Sequence, residues 1–133
     1  MSQENVETLY RALDAINRRD LETLLTLHDP DVEIIPRILR VEGGRPYRGH
    51  QGLRNWWKDL HDVFPEFSAE IAEVKDLGNV TLSRLSLRGE GLESGAAMEQ
   101  TAWQVVKFRD NKAVWWAIFL SEAEALEGAR LID

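Results

Sequence analysis

Residues 113–121 read AVWWAIFLS, and the adjacent tryptophans at 115 and 116 decide how the chain is to be folded. The run from Ala113 to Leu120 is too short to cross a bilayer. It is rich in β-forming side chains, and along a strand successive side chains face opposite ways. One tryptophan must therefore point inward and the other outward. The set Val114, Trp116, Ile118 and Leu120 is uniformly bulky and apolar, while Ala113, Trp115, Ala117 and Phe119 are mixed. The first set is expected inside. The same alternation in the preceding strand sends Gln104, Val106 and Phe108 inward and Trp103, Val105 and Lys107 outward.

Upstream, the pattern extends to four strands, Phe67 to Leu77, Val80 to Arg88, Glu99 to Arg109 and Ala113 to Leu120, separated by GN, GEGLESG and DN. Such short Gly and Asn interruptions are hairpin signals and predict an antiparallel meander. The first half is different. Val6, Leu9, Leu13 and Ile16 recur at helical spacing and predict an amphipathic helix over Ser2 to Asn17. Asp20 is placed to cap a second, short helix carrying Leu21, Leu24, Leu25 and Leu27. Val32 to Ile35 reads as a strand stopped by Pro36, followed by an irregular loop punctuated by Gly43, Gly44 and Pro46. A third helix is expected over His50 to Phe64, with Leu53, Trp57, Leu60 and Phe64 on its buried face and Trp56 and His61 on its flanks. Ser121 with Glu124 forms a capping box for a short final helix. The fold class is thus α+β: three N-terminal helices packed on a strongly curved antiparallel sheet that encloses a pocket, with a short C-terminal helix.

The chain has 133 residues, and no linker or repeat divides it, so residues 1–133 form one domain. It has no cysteine, which excludes thiolate chemistry and fits a reducing cytoplasm, the expected location. A formal net charge of -7 disfavours nucleic acid and anionic membranes as partners. The opening MSQENVE does not read as a signal peptide. The three histidines have no metal-ligand spacing, so no metal and no cofactor is expected. Ser94 and Ser121 have no triad partners at informative spacing, and the glycines at 89, 91 and 95 belong to a turn rather than a phosphate loop. Arg37, Arg40, Arg45, Arg48 and Arg54 oppose only Glu42, giving a local charge of +4 that reads as a solvated basic loop.

Several stretches carry a family resemblance: YRALDAINRRDLETLLTLHDPDVEI, YRGHQGLRNWW, and VVKFRDNKAVWW running into SEAEALE. Over nearly its whole length the chain resembles the nuclear transport factor 2-like superfamily and, within it, the SnoaL-like proteins. The resemblance implies a cone-shaped pocket between helices and sheet, and commonly a homodimer. It also implies positions for chemistry. Relatives that isomerise ketosteroids carry ionisable groups where this chain has Ala12, Ile34 and Gln104, and cyclases or epoxide hydrolases carry them at Ile118, Leu85 and Leu87. On that register the usual carboxylates are absent.

The residues that remain define the expectations. Gln104, Trp116, Trp57, Ile118, Ile34 and Tyr47 are expected to line a site for a small, largely apolar, carbonyl-bearing molecule. Trp103, Trp115 and Phe119 are expected to form a homodimer interface on the outer sheet face. If a reaction occurs, an acid-base isomerase, cyclase or hydrolase-like reaction is expected, with Gln104 as polariser and His50 as acid or base, His61 being the next candidate. Asp62, Glu33 and Tyr47 are further titratable groups, and His28 beside Asp29 reads as a turn residue. No motif names a substrate.

Overall fold

The computed structural model describes residues 2–35, 46–90 and 97–132. Helix α1 (Ser2–Asn17) and α2 (Leu21–Thr26) lead into strand β1 (His28–Ile35). Then come β2 (Tyr47–Arg48), α3 (Gly49–Val63), the strands β3 (Ser68–Asp76), β4 (Val80–Glu90), β5 (Ala97–Arg109) and β6 (Lys112–Phe119), and α4 (Glu122–Ile132). The local signals are realised. Asp20 accepts from the Thr23 amide at 3.1 Å and from its hydroxyl at 2.7 Å, and Ser121 accepts from the Glu124 amide at 3.2 Å. Asp110 and Asn111 turn the β5–β6 hairpin at positive φ, 53° and 63°, a conformation Asp and Asn tolerate better than most residues.

One six-stranded sheet runs β2-β1-β6-β5-β4-β3. Its pairs are antiparallel except for β1 with β6, which is parallel, so the sheet is mixed rather than wholly antiparallel. Register breaks between Ile71 and Glu73 of β3 and around Val114 of β6 are bulges, which bend strands and tighten twist, and the sheet curls without closing. α1, α2 and α3 fill its concave face. There Leu9, Leu13, Leu24, Ile34, Leu53, Trp56, Leu85, Leu87, Val106, Phe108, Trp116 and Ile118 form the main core.

The bulge corrects part of the expected alternation. Phe108 pairs with Ala113 and Lys107 with Trp115, leaving Val114 outside the ladder, so Ala113 joins the main core in place of Val114. From Trp116 onward the expected parity holds: Trp116 and Ile118 are inside, Ala117 and Phe119 on the other face. Leu120 follows the strand and is 50% exposed rather than buried.

The convex face is not bare. α4 packs on it, and Ala125 and Ala129 join Val80, Leu82, Val105, Ala117 and Phe119 in a second apolar cluster. The contact is close. A Cβ added at Gly128 would stand 2.6 Å from Cζ of Phe119. No described helix is long and apolar enough to cross a membrane.

Candidate functional site

The register across the sheet builds the site's inner wall. Tyr47 pairs with Ile34, Ile34 with Trp116, Trp116 with Val106, and Val106 with Thr81, so five strands contribute one concave row. In the next row Ile118 pairs with Gln104 and Gln104 with Ser83. Paired residues share a face. The rows sit opposite the apolar stripe of α1, the leucines of α2, and Trp56 of α3.

Between these layers lies a cavity of about 30 Å³ lined by Thr8, Leu9, Ala12, Leu13, Ile16, Leu24, Leu27, His28, Trp56, Gln104, Val106, Phe108, Ala113 and Trp116. That volume holds one or two waters, since a single water needs on the order of 10–15 Å³ measured this way. None of these lining residues is an acid. The polar groups are Thr8, His28 and Gln104, with the Trp116 indole N–H. Thr8 donates to the Glu4 carbonyl at 3.0 Å and is held within its own helix. Gln104 is 8% exposed, and its Oε1 is buried without a hydrogen-bond partner among the described residues.

His28 and the indoles form the remaining wall. The Trp116 N–H donates to His28 Nε2 at 3.0 Å, and His28 Nδ1 lies 2.8 Å from the Leu24 carbonyl. Trp56 meets Trp116 edge to face, with ring centroids 5.2 Å apart at 86°. Burial pushes the His28 pKa down to about 4, partly offset by its bond to the Leu24 carbonyl and helped by the charge of His50. At neutral pH its ring is uncharged.

The sequence expectations divide against this geometry. Gln104 and Trp116 line the cavity as expected. Ile34, Ile118 and Tyr47 lie in the main core but not on the cavity lining, and the Tyr47 hydroxyl donates to Asp59 at 2.6 Å. Of the tryptophan pair on α3, Trp56 rather than Trp57 faces the cavity, because consecutive helical residues are 100° apart and Leu53, Trp56 and Leu60 share the buried face. Trp57 instead meets the His61 ring at a tilt of 48°, with centroids 4.5 Å apart.

Neither expected histidine reaches the cavity. His50 Nε2 lies 2.9 Å from the His28 carbonyl, and His61 Nδ1 lies 2.8 Å from the Trp57 carbonyl one turn back. The histidine on the lining is His28, expected to be a turn residue but standing at the first position of β1. Strict alternation does not reach it: Pro30, of the same parity, is exposed, and the register of β1 against β6 shifts between His28 and Glu33, so the inward placement of His28 rests on its pairing with Ala113. The remaining titratable groups are paired at the surface, Glu33 with Arg48 at 3.0 Å and Asp62 with Lys58 at 2.6 Å. Arg37, Arg40, Arg45 and Ser94 lie outside the described residues.

On the convex face, Phe119 is 8% exposed beneath α4. Trp103 and Trp115 are partly buried against the same cluster. Along the sheet they are set apart, Trp103 pairing with Phe119 and Trp115 with Lys107. Those positions on β5 are roughly 13 Å apart at the usual rise per residue.

A family model for the SnoaL-like domain matches residues 9–116. Solved structures similar to the chain include an NTF2-like protein of unknown function from Burkholderia pseudomallei K96243, at 20% identity and TM-score 0.80, covering 93% of this chain and 95% of that one. TerC, crystallised with polyporic acid, matches at 18% identity and TM-score 0.79, covering 96% and 98%. IdmH, a candidate polyketide cyclase from Streptomyces antibioticus, matches at 24% identity and TM-score 0.75, covering 95% and 97%. No curated protein matches the chain.

Proposed function

The chain belongs to the SnoaL-like domain family, and from that premise we propose that it binds a small, largely apolar molecule bearing a carbonyl or hydroxyl group between its helices and its sheet. The observation that carries this reading is Gln104: a side-chain amide on a mainly apolar cavity wall, with its Oε1 buried and unpartnered while the Thr8 hydroxyl, His28 and the Trp116 N–H each have partners. A buried amide oxygen without a partner is costly, and a ligand hydroxyl donating to it would relieve that cost, while a ligand carbonyl would be met by the amide N–H of the same side chain. The fold neighbours give the reading a chemical setting, since one was crystallised with polyporic acid and another is a candidate polyketide cyclase.

A cavity of about 30 Å³ is far below the 300–1,000 Å³ typical of organic ligand sites. Binding therefore requires expansion, and the Trp56 ring, held by packing against Trp116, is the wall that would move. Affinity is then reduced by the fraction of molecules in the open state. Titration with acetophenone, read by tryptophan fluorescence, tests the reading. Saturable change that is lost in a Trp56→Phe, Trp116→Phe double variant supports it; an unchanged spectrum up to the probe's solubility limit refutes it.

Acid-base catalysis is a second reading, and His28 favours it over the histidines first expected. Its Nε2 is an acceptor on the cavity wall, occupied by the Trp116 N–H. A substrate hydroxyl that displaced that N–H would meet a neutral base. In this reading Gln104 polarises a carbonyl, and His28→Gln lowers the rate more than His50→Gln. The reverse order would return the role to His50. The assembly proposed is a homodimer across the apolar rim that α4 leaves around Trp115 and Ile35.

A further inference from the structure

Gln104 has polar neighbours on the concave face that lie beyond the cavity lining. Two hydroxyl residues of β4, Thr81 and Ser83, are wholly buried at 0% exposure, and neither Oγ1 of Thr81 nor Oγ of Ser83 has a hydrogen-bond partner among the described residues. Their direction follows from the register. Ser83 pairs with Gln104 and Thr81 with Val106, both on the concave face, whereas Val80 and Leu82 belong to the convex cluster under α4. Both hydroxyls therefore point to the same side as the cavity, one directly across from Gln104 and the other two residues along the strand.

Three adjacent unpartnered polar groups on one face of the sheet are unusual, because nearly all buried polar atoms find a partner. Serine or threonine at such positions gains nothing for the sheet over alanine or valine of similar shape. Together the groups offer complementary chemistry: Gln104 Oε1 accepts, and each hydroxyl both donates and accepts. Leu85 and Leu87 continue the concave side of β4 with apolar side chains, so the polar groups are confined to one end of it.

We propose that Thr81 and Ser83, with Gln104, form a polar subsite beside the cavity, opened by the same expansion that binding requires, that takes the oxygen-bearing end of the ligand. The bound molecule is then oriented with its carbonyl or hydroxyl toward β4 and its apolar body toward Trp56 and Trp116. This rests on the cavity being the binding site, and it goes further by fixing the ligand's direction and the residues that select for oxygen.

The test uses the full chain and three probes of similar shape: ethylbenzene, acetophenone and 3-hydroxyacetophenone. Wild-type protein is expected to bind both oxygenated probes at least fivefold more tightly than ethylbenzene. Ser83→Ala and Thr81→Val should each weaken the oxygenated probes about tenfold, the loss expected when one hydrogen bond of ordinary strength is removed. Both should leave ethylbenzene within twofold and should not lower the midpoint of urea unfolding, since no internal bond is lost. Equal binding of all three probes by the wild type overturns the subsite while leaving the cavity reading intact. Binding of none overturns both. Variants that unfold at lower urea and keep the wild-type preference show that the hydroxyls serve the fold alone, which also overturns the subsite. A crystal structure with acetophenone bound separates a ligand oxygen from trapped solvent: the carbonyl beside Ser83 supports the proposal, and a water there with the carbonyl elsewhere contradicts it.

Discussion

The indole N–H of Trp116 donates to Nε2 of His28 across 3.0 Å, joining the last strand of the sheet to the first. Because Nδ1 of the same ring faces the Leu24 carbonyl at 2.8 Å, only the neutral tautomer with its proton on Nδ1 satisfies both contacts. Adding a proton to Nε2 would set N–H against N–H inside the core.

The first prediction follows from that conflict. The pKa of His28 falls from 6.5 to about 4 on folding, so between those values the unfolded chain binds more protons. Stability from this group is fully present above about pH 6.5 and is lost as pH falls toward 4, by an amount on the order of 3 kcal/mol. Urea unfolding at pH 7 and pH 4.5 should show the loss in wild type and a smaller one in His28→Gln. Equal losses in the two proteins would contradict a neutral, buried His28.

Trp116→Phe removes the donor and leaves His28 Nε2 buried and unpaired. A cost of about 1–3 kcal/mol is expected, the usual penalty for orphaning a buried polar atom. His28 should also titrate closer to its ordinary value, since protonation no longer opposes an N–H. Denaturation midpoints and the histidine NMR titration read these two effects separately. A variant as stable as wild type would show that the bond contributes nothing.

How much of this was legible in the sequence depends on how each signal is carried. Periodic signals are local and carry through to the structure: the α1 stripe, the Asp20 and Ser121 caps, the DN turn, and the inward placement of Trp116 and Gln104 all rest on local spacing. The failures needed long-range information. Strict alternation places Val114 inside, and a bulge that alternation cannot show shifts the strand at that point. Trp57 was preferred to Trp56 because both lie within a helical turn of Leu53, and only packing against Trp116 separates them. His28 beside Asp29 reads as a turn residue because its strand pairs in parallel with β6, far along the chain. The outer face was expected to be free because the helix that covers Phe119 follows it in sequence and is too short to announce where it docks.

Gly52 is a packing requirement on α3. A Cβ there would lie 2.8 Å from the backbone carbonyl carbon of Tyr47, which cannot yield without moving β2. Gly52→Ala is expected to destabilise the protein by about 1 kcal/mol or more, overpacking outweighing the gain of about 1 kcal/mol in helix propensity. A thermal unfolding midpoint above wild type would contradict the close approach.

For the proposed homodimer, Trp115→Glu places a charge in the partly buried rim beside Glu33, its neighbour in the β1–β6 register. Light scattering at micromolar concentration should give the mass of two chains for wild type and of one for the variant. A wild-type mass of one chain, or a variant that still pairs, would remove this surface as the interface.

The central claim, that the cavity lined by Trp56 and Trp116 is a binding site, is tested most directly by the tryptophan indole resonances in a ¹⁵N-labelled protein titrated with acetophenone. The chain has five tryptophans, so the lining and non-lining indoles can be followed in one spectrum. Binding in the cavity predicts saturable shifts of the Trp56 and Trp116 N–H signals, with those of Trp103 and Trp115 on the convex face unmoved. Shifts confined to Trp103 or Trp115, or no saturable shift at any indole, would contradict it.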